Sequence, residues 1–384
     1  MLGPIVRKNR VRENQATPAR TTKSGERMRR FWRTRAACLT GAVTELQRVT
    51  VLTGGVGGAR FTRGLLARLG EAYPDGDGGT RVAVTVVVNT GDDMTLNGLR
   101  VCPDLDTVMY TLGGGISEEQ GWGRDEETKR VSGEIAAYGR GWDWFTLGDL
   151  DLGTHIVRTE LLRDGATLSE ATEFLCRRWR PAARLLPMSD QPVETHVRLA
   201  GAADEHPAGS LIHFEEWWVR YRAGAAASEF VQVGLESAVP APGVLEAIRD
   251  ADVVILPPSN PVVSVGTILA VPGVRAALRE TSARVVGVSP IIGGSAVRGM
   301  ADACLATIGV DTSAQAVALH YGARASGGLL DGWLVDEVDA PAVPTLAAAG
   351  IPARAVPLWM RDVATTARMA SDALDLAFAA GERA

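Results

Sequence analysis

The chain has 384 residues, of which 46% are hydrophobic and 22% charged, and its net charge is −5. Such a composition supports a globular fold with a sizeable core, and no apolar run approaches the ~20 residues that a membrane helix needs. Residues 1–47 hold 11 Lys/Arg against 3 Asp/Glu while the remainder holds 29 against 42, and so acidic a body argues against nucleic acid as the main partner.

The leading segment, 1–47, has no apolar period and reads as a basic, disordered extension without the apolar stretch of a secretory signal. Residues 48–384 read as a single domain. Arg48 to Thr53 forms a first strand. It runs into Gly54-Gly55-Val56-Gly57-Gly58-Ala59-Arg60 and then into a helical pattern from Phe61 to Leu69. Glycines let a ligand approach the backbone, and the helix start offers free N–H groups to a phosphate. No Gly-Lys-Ser/Thr follows, so this is not a P-loop. Arg60 stands where a dinucleotide fingerprint needs its third glycine.

Arg81 to Val88 reads as a second buried strand. It is followed by Asn89-Thr90-Gly91-Asp92-Asp93 and then by Cys102-Pro103-Asp104-Leu105-Asp106. Four carboxylates thus gather beyond the carboxyl end of a strand, the edge where ligands bind in open α/β sheets. Clustered carboxylates repel unless a proton or cation sits among them, and magnesium suits carboxylates plus phosphates. A solvated acidic turn explains the same residues taken alone.

Helical patterns cover 104–112, 125–140, 154–163 and 168–180. Strands are expected at Arg184 to Met188, Val193 to Leu199 and Leu211 to Arg222. The span of about 120–225 reads as a mostly helical insertion with a small antiparallel piece. It holds Trp122, Trp142, Trp144, Trp179, Trp217 and Trp218, which could wall a flat heteroaromatic ligand. It also holds Asp149, Asp151 and His155 in Leu147 to His155. A helix at 242–250 leads to the strand Asp252 to Leu256 and to Pro257-Pro258-Ser259-Asn260-Pro261, with Ser264 able to cap a helix at 264–280. The strand Ala283 to Ser289 leads to Pro290-Ile291-Ile292-Gly293-Gly294. Helices at 296–308 and 312–323, strands near 333–336 and 353–357 and a helix at 361–380 complete the chain. The alternation predicts an α/β fold, a three-layer Rossmann-like parallel sheet with helices on both faces. Cys38, Cys102, Cys176 and Cys304 have neither metal nor disulfide spacing, which fits a reducing cytoplasm.

Six blocks in this order carry a resemblance: 53–60, 89–93, 102–112, Leu185 to Val197, 258–264 and 289–294. Together they resemble the 2-phospho-L-lactate transferase family of coenzyme F420 biosynthesis, the CofD/FbiA type, from about Val49 onward. His213 to Arg222 and Arg298 to Asp302 look like its actinobacterial phosphoenolpyruvate transferase branch. The resemblance implies transfer of an enolpyruvyl-phosphate or 2-phospho-L-lactate unit from a guanosine diphosphate-linked donor. The acceptor would be the ribityl hydroxyl of the deazaflavin Fo, with GMP released and Mg2+ required. It implies that Asp92 and Asp93 are catalytic and hold the metal, and that Asp104, Asp106, Trp144 and Asp149 face Fo. Gly54, Gly55, Gly57, Gly58, Arg60, Asn89, Ser259, Asn260, Ser264 and Gly293 would face nucleotide and phosphates. A cytoplasmic homodimer binding small molecules, without nucleic acid or membrane, is the implied setting. Leu150 departs from the family's Gly-Asp-Arg-Asp, leaving Arg60, Arg124 or Lys129 to supply the cation. Two rivals share the first βαβ unit: a nicotinamide-dependent oxidoreductase and a non-catalytic regulator that binds nucleotide sugars.

Overall fold

The computed structural model describes residues 46–379. The expected basic extension therefore lies outside the described residues, apart from Leu46 and Gln47. Seven strands form the central sheet: β1 (Arg48–Thr53), β2 (Ala83–Val88), β3 (Arg184–Pro187), β4 (Val253–Leu256), β5 (Arg284–Val288), β6 (Gly332–Val335) and β7 (Ala353–Ala355). Their order is β7-β6-β5-β4-β1-β2-β3. Every pairing is parallel.

Alternation along the strands sends neighbouring side chains to opposite faces, and both faces are covered. Leu52, Val87, Val254 and Val285 pack with Val265, Ile268, Leu278 and Val317 on one side. Val51, Val86, Val253 and Val286 pack with Phe61, Leu65, Met109 and Met369 on the other. This is the expected three-layer α/β sandwich. The chain builds β1, β2 and β3 outward in one direction, then returns to lay β4 against the other side of β1. The carboxyl ends of β1 and β4 therefore flank a topological switch point, where such sheets bind ligands.

Helix α1 (Val56–Ala72) follows β1, and helix α2 (Pro103–Leu112) follows β2 and a short hairpin, Met94–Leu96 with Leu99–Val101. Helices Arg130–Ala137, Asp149–Arg163 and Leu168–Trp179 precede β3. A three-stranded antiparallel sheet centres Glu194–Leu199 between Leu211–His213 and Ala227–Val233. The span 120–225 is thus not one block, because β3 within it is the edge strand of the main sheet.

Two expected elements end early. The strand through Arg222 stops at His213, and Glu216–Arg220 is a helical turn. That turn drives Trp217 inward, where it is 1% exposed and packs against Phe214 and Phe230. Its Nε1 donates to the Ala225 carbonyl at 2.7 Å. The helix expected over 264–280 is two helices, Val265–Ala270 and Val274–Glu280, because Gly273 between them has φ +90. Among the described residues no helix is long and apolar enough to cross a membrane.

Candidate active site

The two loops at the switch point touch. A Cβ on Gly57 would land on the Pro258 carbonyl oxygen, and one on Gly54 would lie 2.5 Å from Ser264 Oγ. Only glycine permits this approach. The hydroxyls of Thr53 and Ser259 hydrogen-bond at 2.8 Å and tie β1 to the loop after β4. Gly55 and Gly58 sit in the same bend, against Asp104 and Thr53 respectively. The N-cap of α1 is Gly55, which brings no capping side chain of its own; Asp104 takes its N–H, and the N–H groups of the first turn beyond it can meet a phosphate.

The loop after β4 corrects two expectations. The side chain of Ser264 does not cap the following helix; its hydroxyl lies beside Gly54. Asn260 is consumed by its own turn. Its Oδ1 accepts from Val262 N at 2.9 Å and Val263 N at 3.3 Å, and its Nδ2 donates to Cys304 Sγ at 3.4 Å. Asn260 shapes the loop and has little left for a nucleotide. Gly293, also expected at the phosphates, donates its N–H to Asp339 at 3.0 Å instead.

Two separate groups emerge from the acidic stretch. Asn89, fully buried, donates to Asp104 Oδ2 at 2.9 Å and accepts from Gly91 N at 2.9 Å. Asp104 sits in the first turn of α2, where Pro103 fits the helix start and the helix dipole favours an anion. Asp92, Asp104 and Glu215 are near enough for their charges to act on one another, although their oxygens do not all lie within the 4.8 Å spacing of a ready-made ligand set. Burial, followed by repulsion from neighbouring carboxylates, raises two of them: Asp92 well above the usual carboxylate range and Glu215 to about 8. For Asp104, raised to about 6, burial is opposed by hydrogen bonds from Asn89 and Gly55. Asp92 Oδ1 is buried without a hydrogen-bond partner among the described residues.

Glu215 was absent from the sequence-based site. It is 4% exposed. Its N–H donates to His213 Nδ1 at 3.2 Å, and the other ring nitrogen of His213 lies 3.3 Å from the Asp93 carbonyl oxygen. The sequence pairs it with Glu216 between Phe214 and Trp217, and nothing local tells the buried acid from its half-buried neighbour.

The second group lies beside arginines, although neither oxygen of Asp93 has a hydrogen-bond partner among the described residues. Asp93 lies 3.5 Å from Arg100, and its burial still moves it up to about 7. Asp106 takes both terminal nitrogens of Arg158, one at 3.0 Å. Arg158 is 1% exposed. His155 lies between Asp106, at 3.6 Å, and Asp151, at 3.4 Å, and the Tyr110 hydroxyl donates to Asp151 at 2.7 Å. Asp106, Asp151 and His155 have the spacing of metal ligands, but the guanidinium supplies the positive charge there. Asp106 is thus a buried structural anchor rather than a group facing an acceptor.

Asp149 is likewise committed. It accepts from the Thr128 hydroxyl and from the N–H groups of Arg130, at 3.3 Å, and Val131, at 3.1 Å, so it caps the helix Arg130–Ala137. Trp144 stacks on Trp142 with centroids 4.7 Å apart, a partly exposed aromatic pair. At Leu150, Arg124 donates to the carbonyl at 3.0 Å and lies over Trp179. Of the three cations expected to compensate Leu150, Arg124 is the one found beside it.

A doubly wound sheet with a glycine loop and buried carboxylates at its switch point defines an α/β protein with a ligand site at the carboxyl edge of its sheet. The chain matches the family model of 2-phospho-L-lactate transferase CofD over residues 49–351 and belongs to that family. It is a transferase of coenzyme F420 biosynthesis. It is 60% identical over 330 residues to a phosphoenolpyruvate transferase of Streptomyces griseus, covering 86% of this chain and 98% of that one. A phosphoenolpyruvate transferase of Thermobifida fusca is 59% identical over 336 residues, covering 88% and 99%. The crystal structure of protein BH3568 from Bacillus halodurans shares the fold, with a TM-score of 0.56 at 18% identity, covering 86% of this chain and 100% of that one.

Proposed function

We propose that the chain transfers an enolpyruvyl-phosphate unit from a guanosine diphosphate-linked donor to the terminal ribityl hydroxyl of the deazaflavin Fo. The observation that carries this reading is Asp104 lodged against the glycine loop, with the buried carboxyls of Asp92 and Glu215 near enough to feel its charge. The names of the relatives support enolpyruvyl over lactyl.

Magnesium fits this donor set. All the donors are oxygens, their charges repel, and Asp92 Oδ1 is a buried acceptor without a partner. Asp92, Asp104 and Glu215 would hold the ion, with Asp93 behind them on Arg100. When bound, it would neutralise charge developing on the transferred phosphoryl group.

In the reaction the ribityl oxygen bonds to the β-phosphorus of the donor. The bond from that phosphorus to the bridging oxygen breaks, and the oxygen leaves on the α-phosphate as GMP. The hydroxyl proton passes to a carboxylate of the cluster and on to solvent. The product is a phosphodiester joining Fo to the enolpyruvyl oxygen. Positioning and charge stabilisation suffice, so no covalent nucleophile is required. The glycine loop and the first turn of α1 bind the phosphates, and Thr53 with Ser259 fixes the loops around them. Fo lies between the Trp142–Trp144 pair and the carboxyl edge of the sheet. The cytoplasmic homodimer belongs to the same proposal, and sedimentation of the purified chain tests the dimer.

Mass spectrometry tests the activity. Fo, the enolpyruvyl-linked donor and Mg2+ should yield an Fo adduct and equimolar GMP, with none in EDTA. GMP release without an Fo adduct, or no product from either the enolpyruvyl or the lactyl donor, would overturn the reading.

A further inference from the structure

Over the first two turns of α1 lies a cavity of about 180 Å³, lined in part by Arg60, Arg63, Glu118, Arg361 and Asp362. Arg60 and Arg63 are three apart on the helix, so they share a face, and their side chains lean toward the helix start and the glycine loop. Arg361 comes from the opposite wall, just before the helix Val363–Ala379.

The two acids do not balance the three cations. Glu118 pairs with Arg63, and Asp362 accepts from Thr365 N at 2.6 Å, holding the start of its own helix. Neither Arg60 nor Arg361 makes a side-chain hydrogen bond or ion pair among the described residues. A fourth guanidinium, Arg298, donates to the Gln120 carbonyl. Its proton affinity is lowered by burial and then by the charge of Arg60, so the two guanidiniums lie near each other, with Glu118, already paired to Arg63, the carboxylate that also feels Arg60. Guanidiniums brought together in this way, half-buried at Arg60 and Arg63 and exposed at Arg361 and Arg298, form a site for a planar oxyanion, which each can grip through two N–H groups. The space equals that of about six waters, enough for a three-carbon acid.

We propose that this cavity binds the carboxylate of the transferred three-carbon unit, apart from the acidic cluster. The inference rests on the transferase reading and deepens it. The donor's diphosphate lies on the glycine loop at the start of α1, and the acid esterified to its far end reaches the cavity beside that loop. Arg60 and Arg361 then distinguish the loaded donor from GDP, which carries no carboxylate.

The test compares Arg60→Gln and Arg361→Gln with the wild-type protein. Donor KM with Fo is measured beside GDP affinity by calorimetry. Each variant should raise donor KM tenfold or more while GDP affinity stays within twofold. Phosphoenolpyruvate alone should inhibit the wild-type protein competitively against the donor, and each variant tenfold more weakly. Inorganic phosphate at the same concentration should not compete.

Unchanged donor KM in both variants would overturn the inference. A parallel loss of GDP affinity would assign the arginines to the nucleotide phosphates and overturn it too. Phosphate competing as strongly as phosphoenolpyruvate would assign the cavity to free phosphate, again against the proposal. If the wild-type protein formed no Fo adduct from any donor, the underlying activity would be at fault. In that event phosphoenolpyruvate binding measured by calorimetry, lost in both variants, would still support a carboxylate site, and no binding would refute it.

Discussion

Removing Arg158 should destabilise the protein sharply, and the reason lies in its partner. Asp106 is 4% exposed, and Arg158 engages both of its carboxylate oxygens. In Arg158→Leu the carboxylate is left buried without its guanidinium. Breaking such a pair from one side costs about 3–5 kcal/mol. With an unfolding entropy of ~2.1 cal/mol/K per residue, a chain of this size should lose roughly 4–7 °C of Tm. Thermal melts at pH 7 measure this directly. The double variant Asp106→Leu/Arg158→Leu removes both charges and should recover at least half of the loss, because contacting residues are not additive. An Arg158→Leu melt within 1 °C of wild type would refute the reasoning, as would a double variant as unstable as the sum of the singles. Asp106→Asn separates the structural role from an acceptor role. It should lower Tm more than it changes the KM for Fo, and the reverse would return Asp106 to the substrate.

Gly57→Ala should lower guanine nucleotide affinity at least tenfold by calorimetry, since the added methyl meets the Pro258 backbone and forces the two loops apart; an affinity within twofold of wild type would contradict the contact. The metal-free protein should lose stability as pH rises from about 4 to 8. Asp104 and Glu215 are raised in the folded state, to about 6 and about 8, so that state holds protons the unfolded chain has released, and the stability present below pH 4 falls away through those values. Mg2+ should restore Tm most at pH 8 and least at pH 5, where protons compete for the same oxygens. A melting temperature that rose across this range in EDTA would contradict the cluster.

What could be read from the residues alone follows contact range. β1, β2, β4 and β5 are apolar runs ending in glycine-, acid- or proline-rich loops, a local pattern, and their alternation with helices fixed the fold class. The hairpin at Met94–Val101 has strands of three residues, too short for a period, and Ala227–Val233 mixes polar and apolar residues. The site divides in the same way. The glycine loop and the acidic stretch lie within neighbouring segments of the first βαβ unit and were legible, but the hydrogen bond that joins Asn89 to Asp104 was not, since the two were expected at different substrates. Glu215 reaches Asp92 and Asp104 across more than a hundred residues, and no local pattern announces it. Grouping Asp104 with Asp106 failed for a geometric reason: residues two apart on a helix face different ways. Asp104 meets the glycine loop, while Asp106 turns to Arg158. Adjacent Asp92 and Asp93 diverge likewise, one toward Glu215 and the other toward Arg100.

Manganese binding, followed by electron paramagnetic resonance in the presence of GDP, tests the assignment of the carboxylates most directly. The wild-type protein should bind one ion per chain. Asp92→Asn and Glu215→Gln should each weaken binding at least tenfold, while Asp93→Asn, whose carboxylate faces Arg100, should change it less than threefold, with melts confirming that all are folded. Full manganese affinity in Asp92→Asn and Glu215→Gln, with loss in Asp93→Asn, would contradict the account.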